Sequence, residues 1–182
     1  MATATHLLTY EDLRDTPEDL NRYEIVNGSL VASPAPPPVH ALISIALVRL
    51  LGGWVWPRNL GTMLTAPVDV RLAPHQIFEP DLLFIRRERL GIIGEALIEG
   101  APDLVVEILS PSSRGRDLGE KAEIYAEGGV PEYWIVDPDA RGITLFALRA
   151  GRYEPLPEVD GAIASAVLPG LVVVPAAIFA EL

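Results

Sequence analysis

Between Pro102 and Pro138 the chain reads PDLVVEILSPSSRGRDLGEKAEIYAEGGVPEYWIVDP, and no other stretch constrains the fold as much. Leu104 to Leu109 is short and apolar at all but one position, the pattern of a strand covered on both faces. Ser110-Pro111-Ser112-Ser113 reads as loop and cap, and the spacing predicts a helix from about Arg116 to Glu127 that stops at Gly128-Gly129. Tyr133 to Val136 is a second apolar strand. A strand, helix and strand of this size predict a right-handed crossover between parallel neighbours. The expected class is therefore α/β or α+β, a mixed β-sheet flanked by helices.

The rest of the chain supplies the flanking elements. Thr9-Tyr10-Glu11-Asp12 reads as a cap and acidic first turn of a short helix ending before Pro17. Tyr23 to Val26 and Leu30 to Ala32 flank Asn27-Gly28, which predicts a hairpin on a type I′ turn. After the stiff Pro34 to Pro38 run, the spacing predicts a helix over about Val39 to Trp54, apolar on all sides. Gly61 to Leu72 and Ile77 to Ile85 read as strands, the second with Asp81 at its centre. Arg86 to Gly100 reads as a charged loop with weak helical character, and Ile143 to Leu148 with Arg152 to Leu156 as a hairpin around Ala150-Gly151. No repeat or linker interrupts the 182 residues, which are expected to form one domain.

Composition narrows the function classes. There is no cysteine, and the three histidines do not cluster, so thiolate chemistry is excluded and a structural zinc site is not expected. A bound metal should have oxygen ligands, which favours magnesium or manganese. The formal charge of −11 argues against indiscriminate nucleic-acid binding, though not against a metal that neutralises phosphate. The N-terminus lacks the features of a signal peptide, and the apolar run Ala41 to Val48 is too short to cross a bilayer. The reading is a cytoplasmic protein with no membrane partner.

Two carboxylates stand out. Asp81 interrupts an apolar strand pattern and Glu107 interrupts Leu, Val, Val, Ile and Leu. Buried ionised carboxylates are costly unless paired, hydrogen-bonded or metal-bound. If the two strands are neighbours, the carboxylates face one another, and a divalent cation is the usual remedy for their repulsion. Lys121 is the only lysine in the chain, against thirteen arginines, and falls one turn after Asp117 and one turn before Tyr125. An ammonium there could orient water or stabilise charge on a phosphate. Each residue also has a plainer role to weigh. Asp81 could cap a turn after Pro80, Glu107 could pair with an arginine, and Lys121 could be a solvated partner of Asp117. Glu24 beside the hairpin turn is expected in solvent, and His40 near a helix start in a capping or packing role.

The pattern resembles the PD-(D/E)xK nuclease superfamily, and more closely the bacterial family of small stand-alone restriction-endonuclease-like proteins. The residues concerned are Tyr23 to Gly28, Pro80 to Phe84, Val105 to Ser112, then Asp117, Lys121 and Tyr125, Gly129 to Pro138, and Leu168 to Leu171. A Pro-Asp pair alone means nothing, since Pro102-Asp103 is a second one. The resemblance implies a core of helix, three strands, helix and strand. It implies Mg²⁺, with Mn²⁺ as the alternative, held by Asp81, Glu107 and the backbone carbonyl of Ile108. It implies hydrolysis of DNA phosphodiester bonds, with Glu24 as a further acidic contributor. The chain departs from the motif at Leu109, where the superfamily has lysine, and the resemblance moves that role to Lys121 on the following helix. A homodimer is expected from the apolar helix Val39 to Trp54 and the apolar tail. Two other readings compete: a catalytically silent interaction or regulatory module, and an acid/base hydrolase that uses Asp81 and Glu107 without metal.

Overall fold

The computed structural model describes residues 6–180 and Leu182. Thr9 N–H donates to Asp12 Oδ2 at the start of a one-turn helix, Tyr10–Leu13 (α1). Arg22–Val26 (β1) and Ser29–Ser33 (β2) then form the hairpin, with Val26 opposite Ser29. Asn27 and Gly28 take φ of 50° and 73°, the left-handed angles that a type I′ turn requires. Pro38–Val55 (α2) follows, with proline in its first turn. The chain continues through Gly61–Thr65 (β3), Val70–Ala73 (β4), Gln76–Phe78 (β5), Leu82–Arg86 (β6), a 3₁₀ turn over Arg87–Ile92 and Ile98–Glu99 (β7). Leu104–Ile108 (β8), Arg114–Leu118 (α3), Glu120–Glu127 (α4) and Glu132–Asp137 (β9) make the crossover unit. Gly142–Arg149 (β10), Arg152–Pro155 (β11), Glu158–Val159 (β12), Ala162–Ala164 (β13), Val172–Val173 (β14) and Pro175–Ile178 (α5) complete it.

Six strands build the central sheet in the order β11-β10-β9-β8-β6-β3. Its one parallel pair is β8 with β9, the two strands joined by the crossover helices. The first hairpin belongs to a second sheet, β2-β1-β5-β4-β7, and the tail forms a small third one. Side chains alternate across β8, as strand geometry demands. Leu104, Val106 and Ile108 face α2 and pack with Ile43, Leu47, Leu51 and Val55. Val105 and Leu109 face the other way and pack with Ile124 and Tyr125 of α4. Glu107 shares this second face, where a helix covers it. By length and composition alone α2 could cross a membrane, yet its inner stripe belongs to the core while Leu42, Ile45 and Trp56 are exposed.

Three expected elements are divided. Gly61 to Leu72 is two strands in different sheets, because the Ala66-Pro67-Val68-Asp69 corner carries the chain out of the central sheet; Pro67 has no N–H to continue a ladder. Ile77 to Ile85 likewise splits into β5 and β6 at Glu79-Pro80-Asp81, so Asp81 lies between two strands rather than inside one. The expected helix over Arg116 to Glu127 breaks at Gly119, whose ψ of −99° is not helical. Asp117 and Lys121 therefore lie on successive short helices.

Candidate active site

The division at Pro80 is what creates the site. The β6–β8 ladder pairs Leu82 with Val106, so one step further places Asp81 beside Glu107 at the end of the antiparallel register. Asp81 takes the place of a paired strand residue: its Oδ2 accepts the Ile108 N–H at 2.7 Å. Oδ2 also meets His40 Nε2 at 3.0 Å, and Oδ1 accepts from Arg22 Nη1 at 2.9 Å. Burial alone would raise the Asp81 carboxyl above its ordinary pKa; the His40 contact, the Arg22 guanidinium and the Ile108 N–H outweigh it and hold it low.

Glu107 is 2 % exposed. Its Oε1 accepts from Lys121 Nζ at 2.9 Å and from the Tyr125 hydroxyl at 2.8 Å. These partners are one turn apart on α4, which lies across β8. Among the described residues, Glu107 Oε2 forms no hydrogen bond. Lys121 Nζ also meets Glu24 Oε1 at 2.8 Å and Asp117 Oδ1 at 3.6 Å. One ammonium thus faces three carboxylates. Burial would lower the Lys121 pKa, but Glu107, Glu24 and Asp117 drive it upward and keep it charged. The Glu107 carboxyl moves up to about 8, first by desolvation and then by Asp117, Asp81 and Glu24, with Lys121 pulling against them. Asp117 moves up for the same leading reason, and its buried Oδ1 accepts no hydrogen bond.

Glu24 reaches this centre from the first hairpin. It shares a face of β1 with Arg22, two residues before it, and its Oε1 accepts the Glu79 N–H at 3.1 Å. Arg22 in turn pairs with Glu79 through Nε at 2.8 Å. The second sheet is therefore tied to the central one through Arg22 and Glu24. The space these groups enclose is a cavity of about 30 Å³, enough for one small cation or one or two waters. Its rim includes Ser33, Pro36, Ser110, Ser112 and Arg116. Ile108 also lines it, and its carbonyl points to the Asp81 side, because N–H and C=O of one strand residue share a direction. Among the described residues, no three His, Asp or Glu side chains by themselves form a set that could hold a metal ion.

All the residues singled out in the sequence, Glu24, Asp81, Glu107, Ile108 and Lys121, line this one cavity. One expectation is corrected, and one of the plainer roles falls away. Glu24 is 3 % exposed rather than solvated, since β1 pairs with β5 and Lys121 of α4 reaches its carboxylate. Lys121 is buried against Glu107, so the alternative of a solvated partner of Asp117 does not hold. Sequence reasoning missed Arg22 and the part played by His40. Arg22 had a legible signal, since it shares a strand face with Glu24 two residues on. His40 had none, because its partner Asp81 is distant in the chain.

The family model described as "Uma2: Putative restriction endonuclease" matches residues 9–177. The chain belongs to the Uma2 family. The Uma2 match spans every element described above except the last residue of α5, and with it the whole cavity. The fold agrees with a solved structure, that of a "putative nuclease belonging to DUF820" from Anabaena variabilis ATCC 29413, with a TM-score of 0.78. Identity is 20%, and the likeness covers 95% of this chain and 98% of that one. No curated protein matches the chain. The Uma2 core runs α2, β3, β6, β8, α3 with α4, then β9, a mixed α+β nuclease fold with helices on both faces of its sheet.

Proposed function

We propose that this chain is a Mg²⁺-dependent endonuclease that hydrolyses DNA phosphodiester bonds. The observation that carries the reading is the imbalance of ionisable groups in the cavity: Lys121 alone faces Glu24, Glu107 and Asp117, so that ionising all three carboxyls leaves an excess of two negative charges, which one divalent cation would offset and which protonation of Glu107 relieves without it. The donors suit a hard cation. Of roughly four lone-pair sites on a carboxylate, Asp81 uses three, and Glu107 leaves Oε2 open. Asp81, Glu107 and the Ile108 carbonyl would hold Mg²⁺, or Mn²⁺, with water completing its shell. Mg²⁺ prefers such a sparse protein set and dehydrates reluctantly. When bound, the ion lowers the pKa of a water and offsets charge on the phosphate.

The residues of the chain do the rest. Lys121 keeps its proton and offers a fixed positive charge beside the reacting centre, stabilising negative charge that develops on phosphate oxygens. Tyr125 and Lys121 together fix the rotamer of Glu107. Arg22 and His40 fix Asp81 in the same way. Glu24 positions Lys121 through the 2.8 Å contact. The exposed Leu42, Ile45 and Trp56 support a homodimer, checked by sedimentation, and a cytoplasmic location belongs to the same reading.

A second reading has its own support: Asp81 is already engaged by Arg22, His40 and Ile108, as in a nuclease fold retained for binding alone. Mg²⁺ titration followed by thermal unfolding separates the two. A metal site stabilises the native state by about 2.7 kcal/mol at a hundredfold excess over Kd. Cleavage in Mg²⁺ is expected to vanish in Glu107→Ala; cleavage that survives the substitution refutes the assignment.

A further inference from the structure

The cavity is too small for a nucleotide, so a phosphodiester substrate must lie across its mouth with only the reacting phosphate turned inward. The mouth is where charge matters, because four carboxylates below it repel an approaching phosphate. Arg22, which lines the cavity, and Arg114, two residues before Arg116 in the chain, are already neutralised. Arg22 is held by Glu79 and Asp81, and Arg114 by Asp137 at 2.6 Å. Arg116 differs. Its guanidinium lines the cavity and makes no ion pair among the described residues. Its Nη2 instead donates to the Ser33 hydroxyl at 2.7 Å, from α3 on one side to the end of β2 on the other.

A neutral hydroxyl is a weak partner for a guanidinium and is easily exchanged for an anion. Beside it, the Ser110 hydroxyl lies 3.0 Å from the hydroxyls of both Ser112 and Ser113, and Ser113 also acts on the Asp117 carboxyl. The rim is thus a polar ring with one cation that lacks a carboxylate. Resting on the nuclease reading, we propose that Arg116 is the substrate-binding residue of this site: it exchanges Ser33 for a non-bridging oxygen of a nucleic-acid phosphate and holds the backbone over the carboxylate cavity. The Arg116–Ser33 contact is then a latch across the mouth, opened by the substrate itself.

The test is equilibrium binding of a short fluorescein-labelled oligonucleotide, single-stranded and duplex, followed by anisotropy over a range of salt with Ca²⁺ present. Arg116→Ala is expected to weaken binding about tenfold, as for loss of one charge-assisted contact, and to reduce the slope of log Kd against log salt by about 1. Arg116→Lys is expected to keep the slope and lose part of the affinity, because the ammonium lacks the planar fork. Ser33→Ala is expected to bind at least as tightly as wild type, since it removes the competing partner. Arg114→Ala is the control and should match wild type. Arg116→Ala with wild-type affinity and slope overturns the proposal, as does a wild-type protein that binds neither strand form. The nuclease reading fails separately: a protein that binds with the Arg116-dependent slope yet leaves DNA intact in Mg²⁺ retains the contact and loses the activity. Hydrolysis with unchanged KM in Arg116→Ala does the reverse.

Discussion

Replacing Lys121 with methionine removes the one cation shared by three buried carboxylates. The side chain is 4 % exposed, and its nitrogen lies 2.8, 2.9 and 3.6 Å from Glu24, Glu107 and Asp117. Methionine has similar length, so the packing change is small and the loss is electrostatic. Breaking a buried pair by removing one partner costs about 3–5 kcal/mol, because the remaining charge is left uncompensated. For a chain of this size that corresponds to a melting temperature lower by about 6–20 °C. The loss also depends on pH. Without the ammonium, Glu107 and Asp117 have folded pKa values raised above their unfolded ones, since Lys121 is what pulls both down. A raised acid costs stability increasingly as pH climbs from the unfolded to the folded value. The Lys121→Met deficit should therefore be larger at pH 8 than at pH 5, read by urea unfolding with circular dichroism. Adding Glu107→Gln removes one of the stranded charges and should recover at least about 1 kcal/mol relative to additivity. A Lys121→Met protein within about 1 kcal/mol of wild type, with no pH dependence of the difference, would refute the claim that the ammonium holds the carboxylates together.

Other consequences follow from residues further out. Asp69 is half-buried, and desolvation followed by the Glu24 charge pushes its carboxyl up to about 6. Its proton is retained in the fold and lost in the unfolded chain between those two pKa values, so stability should fall as pH rises from about 4 to 6. Asp69→Asn should flatten that slope and stabilise the protein at neutral pH by about 1 kcal/mol after discounting for solvent, measured by denaturant unfolding at several pH values. Leu47 is fully buried between α2 and the central sheet, and Leu47→Ala should cost about 2–5 kcal/mol in the same assay.

Much of the site was legible because its residues violate local rules. Glu107 stands in a strand whose other positions are buried and apolar, and the anomaly pointed to a partner. Lys121 was legible through scarcity rather than through spacing. The spacing reading assumed a continuous helix, which Gly119 breaks, and the contact with Asp117 survives at 3.6 Å only because α3 and α4 turn together. A buried carboxylate alone would have misled. Glu132 is fully buried in β9, yet its oxygens are taken by the Trp134 indole, the Ser165 hydroxyl and the backbone N–H groups of Ala166 and Val167. That set anchors the tail to the sheet, whereas Glu107 faces an ammonium and a phenol beside a cavity. The split at Pro80 and the role of His40 were not legible, because they depend on which elements lie side by side in space. Strand order is a long-range property that alternation does not encode.

The central claim is that Asp81, Glu107, Lys121 and Glu24 form the metal-dependent centre of a nuclease. The measurement that tests it most directly is cleavage of supercoiled plasmid, linear duplex and single-stranded DNA by wild type and Lys121→Ala, in Mg²⁺ and in EDTA, at a temperature where both remain folded. The account predicts cleavage by wild type in Mg²⁺, none in EDTA, and a loss of about a hundredfold or more in Lys121→Ala, as when a group that stabilises transition-state charge is removed. Wild-type cleavage that persists in EDTA, or equal cleavage by Lys121→Ala in Mg²⁺, would contradict it.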